Sequence, residues 1–152
     1  MKKILILQVT LSTLVLLILD LITKNWAQNS LSEAPWAPLP WFKLTYSENT
    51  GIAFGIPFEG PLLIVLTLVL IVGLIVYIFR TLDLNRLSVK IMISFILSGA
   101  LGNLIDRIYL GAVRDFIGIG PWPLFNVADT VIVIGLALLL IHLFKTSHER
   151  RN

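Results

Sequence analysis

The chain has 152 residues, 57% hydrophobic and only 14% charged, where a soluble domain carries roughly a quarter charged residues; this is one domain, and a membrane domain. It has no cysteine, which excludes disulfides, thiolate metal sites, a cysteine nucleophile and S-acylation, and two histidines supply too few ligands for catalytic zinc. The net charge of +3 does not point to nucleic acid, because the basic residues are spread as membrane topology spreads them.

The opening MKKILILQ has the basic start and apolar continuation of a secretion signal, but residues 20–29 lack a pair of small residues placed for cleavage, so the first run is read as a retained helix. That run, 4–19, holds 16 uncharged residues and stops at Asp20, giving a helix over about 4–23. Residues 24–59 follow as an outer cap, with Pro35, Pro38, Pro40 and Pro57, the indoles of Trp26, Trp36 and Trp41, and a short alternating stretch at 41–46 that predicts strand. The second helix, 60–79, is an uncharged run of 20. The third run, 91–105, has 15 residues and ends against Asp106, within a helix at 89–108. Residues 109–126 include DFIGIGPWPLFN and are too apolar for a solvated loop; they are expected along or dipping into the membrane surface. The fourth run, 130–144, begins against Asp129, within a helix at 127–145.

At about 1.5 Å per residue, 15 residues span roughly 22 Å of a hydrocarbon layer about 30 Å thick. The helices must therefore continue through Asp20, Asp106 and Asp129, which sets these carboxyls at or just beneath the lipid boundary. Intramembrane aspartates are costly and usually functional.

Four crossings form a single membrane domain and place Lys2, Lys3, Arg80, Arg86, Lys90, Lys145, Arg150 and Arg151, eight of the twelve basic residues, on one side. The positive-inside rule makes that side cytoplasmic, with both termini there. The other side receives seven of the nine acids and all four tryptophans.

Asn103 and Asp106 are three apart, as are Asn126 and Asp129, so on helices each pair shares a face and the two faces would meet in a polar pocket under the cap. Asp20 and Lys24 have the spacing and order of a helical ion pair, more structural than chemical. Asp106–Arg107 and Arg114–Asp115 are sequence neighbours that do not face each other on a helix, so each charge needs a partner elsewhere. Gly51, Gly55, Gly99 and Gly102 read as turns or close packing. Asn103 and Asn126 are also placed to cap or cross-link helices, and His142 to pack in the bundle. Carboxylates without metal ligands or a thiol suggest a pair sharing one proton, the aspartic-protease arrangement. The symmetry of the two Asn-x-x-Asp faces nominates Asp106 with Asp129.

With DLITK at 20–24, ENTGIAF at 48–54, SGALGNLIDR at 98–107, VRDF at 113–116 and FNVAD at 125–129, the chain closely resembles the bacterial lipoprotein signal peptidases, the type II signal peptidases. The resemblance covers nearly the whole chain and rests on the order and spacing of these motifs. It implies an intramembrane aspartic endopeptidase that cuts prolipoproteins on the amino side of a diacylglyceryl-cysteine. It assigns Asp115 and Asp129 as the catalytic pair, against the pair that symmetry nominates. It also gives Asn49, Gly51, Asn103, Arg107 and Asn126 to substrate positioning or dyad support, and Asp20, Lys24 and Asp106 to structure. Ser98 and Ile52 stand where many relatives have glycine and alanine, and neither removes a chemical group. A monomer in the bacterial inner membrane is expected, working near the outer face on a lipidated substrate amid membrane lipid, with no cofactor, metal or nucleic acid. The alternative is a small proton-coupled carrier or channel subunit, whose acids should be distributed through the membrane depth. A third reading is a scaffold using polar groups as interhelical glue.

Overall fold

The computed structural model describes residues 2–51 and 61–149; Ile52, Gly55, Pro57, Glu59 and part of the ENTGIAF motif lie outside them. The chain folds in the order α1 (Lys2–Leu31), β1 (Trp36–Leu39), β2 (Phe42–Asn49), α2 (Pro61–Thr81), α3 (Leu87–Leu110), β3 (Val113–Ile119) and α4 (Val127–Glu149). Among the described residues three segments are long and apolar enough to cross a membrane, Ile4–Leu31, Leu87–Leu110 and Val127–Lys145, and a shorter apolar stretch, Leu63–Ile78, lies in α2. Ile4, Leu7, Leu11, Val15, Val133, Leu140 and Ile141 all point outward, as a lipid-facing surface requires.

Val9, Ile78, Val89, Met92, Leu138 and Leu139 pack as one cluster, which gathers the start of α1, the α2–α3 link and the end of α4 at one end of the bundle. The end of α1, the sheet and the start of α4 occupy the other. Small residues let α3 and α4 approach closely: a Cβ on Gly99 would run into the Ala128 carbonyl and Ile132, and one on Gly135 would come within 2.6 Å of Ile96 Cγ1. By contrast α2 touches α3 through Leu74 and Ile78 and leaves a gap beside Thr67 and Leu70.

Two segments differ from the sequence reading. The first helix does not stop near residue 23 but runs two turns further, so its Ala27 and Leu31 offer an apolar patch above the charged level. Residues 113–119, expected along or dipping into the membrane surface, form β3, the third strand of an antiparallel sheet in the order β1-β2-β3. One cause accounts for both. Phe116 packs on Ala27 and Leu31 and meets Trp26 edge-on at 6.4 Å, so protein rather than bilayer covers this apolar stretch while pairing with β2 satisfies its backbone. Gly111, in the left-handed region at φ 74°, caps α3 and turns the chain into β3, its N–H donating to the Arg107 carbonyl.

Candidate active site

Helix α4 begins with a reciprocal cap. Asn126 Oδ1 accepts the Asp129 N–H at 2.8 Å, and Asp129 Oδ2 accepts the Asn126 N–H at 3.3 Å. This is a capping box, so FNVAD is a helix start and Asn126 lies just outside the helix rather than on its face. The next orphan donor, Ala128 N–H, is taken by Asp20 Oδ1 of α1 at 2.8 Å. Three side chains thus fix how α4 starts, and with it where Asp129 sits.

Asp115 arrives from β3. In the sheet Asn49 pairs with Val113 and Ser47 with Asp115, after a register shift between Leu44 and Ser47. Continuing the pairing of Phe42 with Ile119 without that shift would set Glu48 opposite Val113, on the face of Asp115. The bulge instead turns Asn49 to that face, replacing a like charge by an amide donor. Asn49 Nδ2 donates to Asp115 Oδ2 at 3.0 Å, while its Oδ1 accepts the Gly51 N–H at 3.0 Å.

The two carboxyls share one intermediary. Asn126 Nδ2 donates to Asp115 Oδ1 at 2.7 Å while its backbone N–H donates to Asp129 Oδ2 at 3.3 Å. Asn103 Nδ2 donates to Asp129 Oδ1 at 2.7 Å. Asp115 is 2% exposed, and burial, reinforced by the charge of Asp129 and opposed by the Asn49 and Asn126 hydrogen bonds, pushes its carboxyl up to about 6. Asp129 is less covered than Asp115.

Beside this pair lies a separate charge cluster. Lys24, fully buried, meets Asp20 Oδ2 at 2.8 Å, Asn103 Oδ1 at 2.9 Å and Asp106 Oδ2 at 3.3 Å. Arg114 clasps Asp106 with Nη2 at 2.7 Å and Nε at 3.2 Å, and its Nη1 reaches Asn25 and Gln28 of α1. Two acids and two bases balance. Asp106 is therefore spent on Lys24 and Arg114, not available to Asp129, and the sequence symmetry of the two Asn-x-x-Asp motifs does not carry into space. The partners of Asp106 and Arg114 were missing from the sequence reading, as were Asn25 and Gln28. Their spacing with Asp20 and Lys24 would have shown a polar stripe had the first helix been extended past residue 23.

Arg107 points elsewhere. With Asn103 it lies at the polar end of a cavity of about 370 Å³ in the gap left by α2, otherwise lined by residues such as Leu70, Ile71, Leu97 and Ile132, and its charge lies within electrostatic reach of Asp129 and Asp115. The described residues contain no group of three His, Cys, Asp or Glu side chains placed to hold a metal ion.

The family model described as signal peptidase (SPase) II matches residues 12–145 of the chain. A lipoprotein signal peptidase of Clostridium novyi is 41% identical over 138 residues, covering 85% of this chain and 92% of the relative. One from Halothermothrix orenii is 39% identical over 135 residues, covering 87% and 92%. A solved bacterial membrane enzyme, obtained by the in meso method at 2.3 Å, superposes with a TM-score of 0.81 at 30% identity, over 91% of this chain and 88% of that one.

Proposed function

The chain belongs to the signal peptidase II family and removes signal peptides from prolipoproteins, and we propose that Asp115 and Asp129 perform the cut as an aspartic pair. The observation that supports this most directly is Asn126, which donates to the Asp115 carboxyl from its side-chain amide at 2.7 Å and to the Asp129 carboxyl from its backbone N–H at 3.3 Å. Two carboxyls this closely linked share one proton at lower cost than they ionise together. Burial pushes the Asp115 carboxyl up to about 6, which makes it our proposed proton donor. Ionised Asp129 takes a proton from water as the water oxygen attacks the scissile carbonyl carbon, and Asp115 gives its proton to the carbonyl oxygen. On collapse the C–N bond breaks, the leaving nitrogen takes the proton held by Asp129, and Asp115 recovers its own from the hydroxyl.

Asn49, Gly51, Asn103, Arg107 and Asn126 then position the pair and the peptide. Asp20, Lys24 and Asp106 hold the helices in place. The cavity beside Arg107 has the apolar lining that an acyl chain or the apolar part of a signal peptide needs, and each buried methylene contributes about 0.8 kcal/mol. On this reading the substrate is a prolipoprotein already carrying diacylglyceryl on its cysteine, collected laterally from the bilayer. The chain crosses the bacterial inner membrane four times with both termini cytoplasmic, works as a monomer, and opens its site near the outer face. A proton carrier is not favoured, because the buried acids gather at one level beside the sheet.

The test is cleavage of a diacylglyceryl-prolipoprotein by purified Asp129→Asn. A folded variant is expected to lose turnover by about 10²- to 10⁴-fold, the range for a general acid or base. Near wild-type processing would remove Asp129 from the chemistry.

A further inference from the structure

Lys24 stands outside the pair that the mechanism uses, yet its hydrogen bond to Asn103 leads straight to it. An ammonium has donors only. Its contact with Asn103 at 2.9 Å therefore must fall on Oδ1, and this leaves Nδ2 as the atom that Asn103 turns to Asp129 at 2.7 Å. A second donor, Asn126 Nδ2, reaches the same oxygen at 3.3 Å, which is longer and neutral. Were Asn103 reversed, its carbonyl oxygen would face the Asp129 carboxylate and its amide would face the ammonium, two mismatches in a buried setting. The ammonium cannot turn away to permit this, because it is fully buried and paired with the carboxylates of Asp20 at 2.8 Å and Asp106 at 3.3 Å.

We propose that Lys24 is a positioning residue for the reaction, acting through Asn103 to keep an amide donor, and never an acceptor, aimed at Asp129. The inference rests on the reading of Asp129 as a reacting carboxyl, and it assigns to an apparently structural ion pair a kinetic role. Lys24 secures the donor that holds Asp129 Oδ1, so that Oδ2 and the open side of the carboxyl meet water in one fixed orientation. Misplacement of a reacting group by about 1 Å can cost about 10²-fold.

Removing Lys24 alone would leave buried Asp20 without its cation, while Arg114 still holds Asp106, so the test uses charge-balanced variants of the full chain: Asp20→Asn with Lys24→Gln, and Asp20→Asn with Lys24→Met. An asparagine at position 20 still presents an oxygen to the Ala128 N–H, and the two variants differ only in whether residue 24 can donate to Asn103. Cleavage of a diacylglyceryl-prolipoprotein is measured with melting temperature alongside. The Met variant is expected to have a kcat about 10²-fold below that of the Gln variant, at matched KM and matched melting temperature. Equal kcat in the two folded variants overturns the proposal. If the Met variant does not melt cooperatively, Asp20→Asn with Lys24→Leu, which likewise cannot donate to Asn103, is compared with the Gln variant on the same readouts: equal kcat overturns the proposal, and a loss of about 10²-fold at unchanged KM upholds it. Asp129→Asn separates the two levels. An active Asp129→Asn refutes the catalytic pair itself, whereas an inactive one beside equal Gln and Met variants refutes only the role of Lys24.

Discussion

Replacing Asp115 by asparagine should stop cleavage and at the same time flatten the dependence of stability on pH. In the fold this carboxyl titrates at about 6, against 3.8 for an unperturbed aspartate. The unfolded chain therefore ionises first as pH rises, and the folded state loses relative stability until its own carboxyl has ionised. Stability from this group is fully present below pH 3.8 and is lost as pH passes about 6. At 1.36 kcal/mol per pH unit the whole difference is about 3 kcal/mol, of which about 2 kcal/mol falls between pH 4 and pH 8. For a chain of this size that corresponds to roughly 4 to 8 °C of melting temperature. The substituted amide does not ionise in this range, so wild type should lose this much more than Asp115→Asn when both are melted in detergent at pH 4 and pH 8. The variant also turns an NH2 toward one of the two donors, Asn49 or Asn126, which lowers its stability at every pH equally and drops out of the comparison. Parallel melting curves for the two proteins across this range would refute both the burial argument and the assignment of the shared proton to Asp115.

If Asp115 must be protonated to act, wild-type kcat/KM falls as pH rises above about 6, approaching tenfold per unit, and a pH–rate profile with a flat alkaline limb would contradict this. Gly102→Ala sets a methyl against Asp20 Oδ2 at the buried ion pair; overpacking of this kind costs about 1 to 3 kcal/mol, read as a lower melting temperature with the fold retained, and an unchanged melting temperature would show that α1 can shift freely. Ala100→Phe fills the cavity beside Arg107 and should raise KM for the lipidated precursor several-fold with a smaller effect on kcat; an unchanged KM would place the apolar part of the substrate elsewhere.

The membrane character and the pairing of Asp20 with Lys24 were legible in the chain, because they depend on the lengths of apolar runs and on helical spacing, both local properties. The start of α4 at residue 127 was legible too, but what fixes it was not. Whether Asn126 belongs to the helix or caps it depends on which N–H groups find other acceptors, and one of those acceptors, Asp20, is 108 residues away from Ala128. The apolar stretch at 113–119 has the composition of a membrane-surface segment, and only the presence of Ala27 and Leu31 on an extended α1 makes it a buried strand. From composition alone the two environments look alike. Asn49 comes to Asp115 through a one-residue register shift that no alternation pattern announces. Which aspartates meet was likewise a tertiary decision: the Asn-x-x-Asp repeats are equivalent as sequence, but Arg114 and Lys24 neutralise Asp106 while Asn126 ties Asp129 to Asp115. Sequence determines which charges are present and which apolar runs they interrupt; packing chooses their partners, because a buried charge is governed by whatever the fold brings within about 4 Å of it.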